Sequence, residues 1–341
     1  IIQREQMDFP INLSFSECLA KESISEGMIL PCDIEYKSSF DFQEKDGMFY
    51  YIPLMYKKMS HVIAFDLDWT LSYNEKSLFP RDPDDIEILP GRREYLVGLI
   101  KKGYSLVIFT NQKSKTKKEN LKRVERVRNF LLKMALPIYT FISTREDEFR
   151  KPSIGMFTFM KSYLNNITKL YYVGDALGRP QDFSDSDKVF GENIGAIVLS
   201  PEQVFPITKV PNFTQKEMVV FVGAPGTGKT TYAKTYLPKH VWINQDVLKT
   251  KNKVNKTIEN SMKTLESIVV DATHPTHERR RELYDLAKKY NYTIKILYFV
   301  RNGYGWNKIR ERKVPDIVYH MYFKKFESPI KDGYDVYTIW F

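Results

Sequence analysis

From residue 61 onward the chain alternates short apolar runs with longer amphipathic stretches. "HVIAF" (61–65), "YSLVIFT" (104–110), "IYTFIS" (138–143), "KLYYVG" (169–174) and "AIVLS" (196–200) carry apolar residues at nearly every position, the pattern of strands buried on both faces. Between them "GRREYLVGLIKK" (near 91–102), Lys113 to Lys133, and 153–164 read as helices. In the middle one, Leu121, Val124, Val127, Leu131 and Leu132 recur at helical spacing, so one face is apolar and the other basic. "SPEQVFPITKVPNFTQKE" (200–217) holds three prolines and reads as a linker. A second alternation then starts: "MVVFVG" (218–223), a Gly-rich turn and helix, "KHVWIN" (239–244), "SIVVD" (267–271), a helix over 276–290, "YTIKILYFV" (292–300), and a polar helix over 304–313. Strands alternating with helices predict parallel sheets covered on both faces. The expected fold class is α/β, two doubly wound parallel-sheet domains, over 56–205 and 206–341. Residues 1–55 lack clear periodicity and form an N-terminal extension of unclear role, although "MFYYIPLMY" (48–56) reads as a strand or as a segment packed on the next domain.

Size and composition agree with two cores. The chain has 341 residues, 43% hydrophobic and 14% aromatic, more than one core usually serves. It has no apolar run of 18 residues, so no membrane span is expected. No signal peptide is legible, and with Ile at position 1 a preceding targeting segment stays open. Two cysteines, Cys18 and Cys32, argue against a disulfide scaffold and for a reducing compartment. The net charge of +10 favours polyanionic partners, nucleic acid first. Nine Lys or Arg fall between Lys113 and Lys133 against Glu119 and Glu125. That face is either a solvated helix surface or a track for phosphates.

In a parallel sheet, ligands gather at the carboxyl ends of the strands. Four polar groups stand there in the first half: Asp66 with Asp68, Thr110 with Asn111, Lys151, and Asp175. One such aspartate is ordinarily a turn residue or helix cap. Carboxylates, hydroxyl, lysine and carboxylate in this order suit phosphoryl transfer through a carboxyl phosphate. Asp66 attacks phosphorus. Asp68 protonates the leaving oxygen and later takes a proton from water. Thr110 and Lys151 hold phosphate oxygens, and Asp66 and Asp175 suit magnesium, which takes oxygen ligands.

In the second half "GAPGTGKT" fits G-x-x-x-x-G-K-[ST] between a strand and a helix. Its backbone amides and helix N-terminus suit nucleotide phosphates. Gly223, Gly226, Gly228, Lys229, Thr230 and Thr231 form the expected ATP-binding set, with Thr230 on magnesium. Asp246 ends the next strand, as a base or a helix cap, and Asp271 ends "SIVVD", beside the metal or as a cap.

These stretches also resemble known families. "DLDWT", "FTNQ", "RKP" and "VGDALGRP" are similar to motifs of haloacid-dehalogenase-type phosphatases. "FRKPSIGMF" and "YVGDALGRP…DFSDSDKVFGENIG" resemble, more narrowly, the polynucleotide kinase 3'-phosphatase family of nucleic-acid end-processing enzymes. The resemblance, over about residues 60–341, implies Asp66 as nucleophile and Asp68 as acid/base. It also implies magnesium held by Asp66, the Asp68 main-chain carbonyl and Asp175. Arg179, Asp182 and Asp187 lie in the matching downstream stretch, with roles in the site or in packing. Trp69 departs from the pattern, which has Gly there; its ring either crowds the phosphate or turns outward onto a base. "WINQD" matches the stretch whose Asp takes the proton from a 5'-hydroxyl, so Asp246 is the candidate base. Lys249 is an acceptor-phosphate contact or a solvated lysine. "KIRERKVPDIVYHMYFKKFESP" (308–329) resembles the family's lid, implying an arginine on the transferring phosphate, Arg310 first and Arg312 second. His274 and His277 show no ligand spacing and read as non-catalytic.

The expected function is therefore removal of 3'-phosphate and ATP-dependent phosphorylation of 5'-hydroxyl at nucleic-acid ends, preparing DNA breaks for ligation. DNA ends are the expected partners, with RNA open. The protein is expected to be a monomer, nuclear or, if viral, cytoplasmic; a repair-scaffold partner is not legible. The rivals are a phosphatase/kinase of small nucleotides and an end-binding module without turnover.

Overall fold

The structure, a computed structural model, describes residues 38–54, 59–80, 82–208 and 212–340. Cys18, Cys32 and the start of the N-terminal extension lie outside the described residues.

The first unit runs β1 (Gln43–Lys45), β2 (Met48–Tyr51), β3 (His61–Phe65), β4 (Ser72–Tyr73), β5 (Glu87–Ile88), α1 (Arg92–Lys101), β6 (Tyr104–Asn111), α2 (Lys117–Met134), β7 (Ile138–Ser143), α3 (Gly155–Met160), β8 (Lys169–Val173), α4 (Ser186–Asn193), β9 (Ile197–Leu199) and α5 (Pro201–Val204). Its sheet has the order β1-β2-β7-β6-β3-β8-β9. The five strands from β7 to β9 are parallel, while β1 and β2 add an antiparallel hairpin at the edge. The segment set apart by sequence as an extension thus supplies, from Gln43 to Tyr51, two strands of this sheet. β3 is central and buried after His61, as its apolar run requires. α2 starts at a capping box, in which Thr116 and Glu119 satisfy each other's backbone amides.

The second unit runs β10 (Glu217–Val222), α6 (Lys229–Tyr236), β11 (Val241–Asn244), α7 (Gln245–Leu248), α8 (Lys251–Lys263), β12 (Ile268–Asp271), α9 (His277–Lys289), β13 (Thr293–Phe299), α10 (Gly303–Asn307), α11 (Asp316–Lys325) and β14 (Val336–Ile339). Its sheet, β11-β12-β10-β13-β14, is parallel throughout. The polar helix expected over 304–313 is α10 alone, a helix of five residues. Asn307 ends it by accepting from Val314 N and donating to Val314 O, which folds the following chain into a loop.

The units share one apolar cluster containing Phe65, Tyr95 and Phe205 on one side and Met218, Tyr298 and Trp340 on the other. The proline-rich linker begins as structure: Ser200 caps α5, and Val204 and Phe205 are buried. Arg92, fully buried, lies 3.9 Å from the centres of both the Phe205 and Trp340 rings. These cation–π contacts, with bonds to Thr70 O and Pro90 O, offset burial of its charge. Ser328 donates to Glu75 across the seam, and Tyr304 meets the Phe79 ring edge-on.

Candidate active sites

The register of the first sheet brings its site together. Phe65 pairs with Ile108 on one side and Val173 on the other, so Asp66, Thr110 and Asp175 emerge at one sheet edge. The chain turns sharply there. Asp66 N donates to Val173 O, and Leu71 N and Ser72 N both donate to Leu67 O. Trp69 sits in this turn at φ +63°, the left-handed region that favours glycine. Its ring is half-buried, packs on the apolar cluster and lines a cavity of about 40 Å³ with Trp306 and Trp340 of the second unit.

Lys151 arrives from the loop after β7. Asn111 fixes its backbone twice, donating to Lys151 O and accepting from Lys151 N, each at 3.0 Å. Its ammonium then reaches Asp66 Oδ1 at 2.6 Å, Asp187 Oδ1 at 2.8 Å and Tyr172 OH at 2.9 Å. Asp187 also accepts from Tyr172 OH and Ala176 N. Gly174 leaves room for this, since a side chain there would strike the Asp187 carboxylate. Burial, opposed by Lys151 and aided by repulsion from Asp187 and Asp68, pushes the Asp66 carboxyl up to about 7. Burial likewise pushes Asp175 well above the carboxylate range, with Asp66, Asp187 and Asp182 adding to it.

Asp68 is held differently. Arg126 of α2 meets its Oδ1 at 2.7 Å, and Gln112 Nε2 donates to its Oδ2 at 2.8 Å and to Thr110 Oγ1 at 2.8 Å. Burial raises the Asp68 carboxyl, but Arg126 and Gln112 outweigh it and hold the group below its ordinary value. Two carboxyls separated by a single residue are thus driven in opposite directions, Asp66 toward its neutral form and Asp68 toward its anion.

One carboxylate oxygen each from Asp66, Asp175 and Asp187 lies within 4.8 Å of the other two. Asp187 is engaged by Lys151, Tyr172 and Ala176, whereas no donor among the described residues is bonded to the Asp175 carboxylate. That orphaned, half-buried carboxyl beside Asp66 suits a magnesium ion, whose charge would favour its ionised form. Arg179 and Asp182 shape the loop instead. Asp182 accepts from Leu177 N and Arg179 N, and Arg179 bridges Asp182, Glu202 and Asp175 O.

In the second unit the glycine-rich loop joins β10 to α6. Gly226 and Gly228 have φ +80° and +92°, and Gly226 packs so closely on Gly303 that neither position admits a side chain. Lys229 is buried and donates to Gly223 O at 2.8 Å, Ala224 O at 2.6 Å and Thr227 Oγ1 at 3.3 Å. Burial depresses its ammonium to about 8, against the pull of Asp271 and Asp246 and with help from Arg310. Asp246 and Arg310, both exposed, thus stand within electrostatic reach of Lys229; Arg312 has no such link to it. Asp246 is in the first turn of α7, whose cap is Asn244. Thr230 donates to Asp271 Oδ2 at 2.7 Å, and Trp242 and Asn244 donate to the same oxygen. Thr231 and Lys249 are exposed. His274 Nδ1 pairs with Phe221 O, and burial lowers the ring to about 4, so it is neutral; His277 pairs with Asp332.

Sequence reasoning assigned no role to Gln112, Arg126, Tyr172, Trp242 or Asn244. Arg126 left a signal: it lies among Val124, Val127 and Phe130 on the buried side of α2, where a charge needs a partner.

Two family models match the chain. "Polynucleotide kinase 3 phosphatase" covers residues 61–205, and "AAA domain" covers residues 218–313. A bifunctional polynucleotide phosphatase/kinase of Schizosaccharomyces pombe is 30% identical over 321 residues, 82% of this chain and 79% of the relative. A putative bifunctional polynucleotide phosphatase/kinase of Acanthamoeba polyphaga mimivirus is 29% identical over 347 residues, 79% of this chain and 81% of that one. An uncharacterised 20.8 kDa protein of Autographa californica nuclear polyhedrosis virus is 40% identical over 159 residues, 43% of this chain and 86% of its own. With both units matched in the same order, the chain belongs to the family of bifunctional polynucleotide phosphatase/kinases.

Proposed function

We propose that this protein removes 3'-phosphate and adds 5'-phosphate at broken DNA ends, making them ligatable. What supports the reading above all is the placement of Asp66 against Lys151, one residue from an Asp68 held by Arg126 and Gln112. Ionised Asp66 attacks phosphorus, the bond to O3' breaks, and Asp68, which enters this step in its protonated form, gives that oxygen its proton. Asp68 then takes a proton from water, whose oxygen attacks phosphorus, releasing phosphate and restoring Asp66. Lys151 and Thr110 hold the phosphate oxygens. Asp66, Asp175 and the Asp68 main-chain carbonyl would hold magnesium, whose charge would keep Asp66 ionised and let it approach an anionic phosphate.

In the second unit Asp246 takes the proton of a 5'-hydroxyl, whose oxygen attacks the γ-phosphorus of ATP, and ADP leaves. Lys229 exchanges its carbonyl partners for phosphate oxygens, Arg310 meets the charge developing on the transferred group, and Thr230 with Asp271 serves the nucleotide's magnesium. The basic face of α2 holds the polynucleotide backbone.

An oligonucleotide with 5'-hydroxyl and 3'-phosphate tests this, incubated with magnesium and γ-labelled ATP, with the 3' reaction followed by release of inorganic phosphate and the 5' reaction by label on the oligonucleotide. Loss of the 3'-phosphate and gain of a 5'-phosphate are expected, both slowing steeply with salt. If free 3'-nucleotides and nucleosides turn over as well as oligonucleotides, with no salt dependence, the small-nucleotide reading replaces this one.

A further inference from the structure

Resting on the reading above, we propose that Trp242 is a positioning residue of the kinase centre. Its indole N–H, together with Asn244, fixes the Asp271 oxygen that takes the Thr230 proton, and so presents the Thr230 oxygen and the second Asp271 oxygen to the nucleotide's magnesium.

Strand register sets up the contact. Asn244 of β11 pairs with Asp271 of β12, and Trp242 pairs with Val269. Residues two apart on a strand face the same way, so positions 242, 244 and 271 share one face of the sheet. Thr230, in the first turn of α6, meets them there. Three donors converge on Asp271 Oδ2: Thr230 Oγ1 at 2.7 Å, Asn244 Nδ2 at 2.8 Å and Trp242 Nε1 at 3.0 Å. Among the described residues no donor is bonded to Oδ1 of this buried carboxylate.

That one-sided arrangement has a chemical consequence. A hydroxyl carries one proton and two lone pairs. With its proton committed to Oδ2, Thr230 has only lone pairs left to offer, and Oδ1 keeps its own. Both are hard oxygen donors of the kind magnesium takes. The geometry holds only while Oδ2 stays where it is. Asn244 is shared with a second task, since its Oδ1 accepts from Val247 N and caps the helix that carries Asp246. An indole N–H can only donate, so Trp242 cannot reverse its role when the site fills. Filling a core does not account for the residue. β11 is an edge strand and the ring is 39% exposed, with Lys234 Nζ 5.4 Å from its centre. The N–H is what joins Trp242 to the site.

The test uses the full chain and measures ADP binding by calorimetry, once with magnesium and once in chelator. W242F keeps a ring and removes the donor. W242H loses the six-membered ring and keeps a donor, because its Nε2 is as many bonds from the backbone as the indole nitrogen; slightly alkaline buffer keeps the imidazole neutral. W242F should weaken ADP binding in magnesium about tenfold and leave metal-free binding within about twofold, and W242H should recover most of the loss. The magnesium concentration that half-saturates 5'-phosphorylation should rise in W242F, while 3'-phosphate release, the measure of intact folding, stays at the wild-type rate. If W242F binds ADP like wild type in magnesium, loses affinity equally with and without the metal, or outperforms W242H, the inference is overturned while the proposed function stands. Wild-type protein whose ADP binding gains nothing from magnesium overturns the reading of Thr230 and Asp271 as well.

Discussion

In the phosphatase centre the lysine faces anions: Lys151 bonds Asp66 and Asp187, and Tyr172 closes the group. In the kinase centre Lys229 faces only carbonyl oxygens and a hydroxyl of its own loop. Burial raises Asp66 to about 7 and lowers Lys229 to about 8. Both shifts favour the neutral form: burial drives carboxyls of the first site and the lysine of the second toward losing their charge until a partner of opposite sign arrives. A centre that crowds carboxyls around one lysine is suited to a cation. A centre that receives a triphosphate must hold a cation that the substrate neutralises.

The contrast breaks most visibly in single substitutions. Asp66→Asn should reduce 3'-phosphate release by about 10⁴-fold or more and leave 5'-phosphorylation within about twofold, measured on one doubly reactive oligonucleotide. Lys229→Ala should do the reverse, lowering 5'-phosphorylation by roughly 10²- to 10³-fold, the scale of removing one transition-state charge contact. Loss of both activities in either variant would mean that the two centres do not work independently. Arg126→Met should lower the phosphatase kcat by about tenfold to a hundredfold and move the acid limb of its pH profile upward, because Asp68 loses the partner that holds its carboxyl low.

A stability measurement sharpens the same comparison. The Asp66 carboxyl is raised from 3.8 to about 7 in the folded protein. The folded state therefore keeps a proton that the unfolded state gives up, and stability present below pH ~4 is lost as pH rises to ~7. In chelator, denaturant melts of wild type and Asp66→Asn should diverge across that window, the variant ending about 2 kcal/mol or more ahead at pH 8. Magnesium should narrow the gap. The smallest effect is expected at Trp69: Gly relieves about 1 kcal/mol of left-handed strain but gives up packing worth about 1–2 kcal/mol. Trp69→Gly should therefore shift the melting temperature by only a few degrees, with phosphatase activity little changed.

Much of this was legible in the chain. Strands buried on both faces write themselves as continuous apolar runs, so β3, β6, β7, β8, β10, β12 and β13 stand where "HVIAF", "YSLVIFT" and their successors placed them. Groups at strand ends converge because register in a parallel sheet aligns those ends. Partners that depend on tertiary packing were not legible. Arg126 reaches Asp68 from the buried side of α2, a pairing that only the packed fold creates, and Gln112 is indistinguishable in sequence from a turn residue. α10 was overextended because a polar stretch looks helical until a distant bond, here Asn307 with Val314, ends it. Among the described residues no helix is long and apolar enough to cross a membrane.

The most direct test is a crystal structure of the protein with magnesium and beryllium fluoride, which mimics a phosphorylated carboxylate. The fluoride group should be bonded to an Asp66 carboxylate oxygen, with Lys151 and Thr110 on its fluorines and a metal ion between Asp66 and Asp175. An adduct on any other side chain, or Asp66 left bare in a fully occupied site, would contradict a covalent role for that carboxylate.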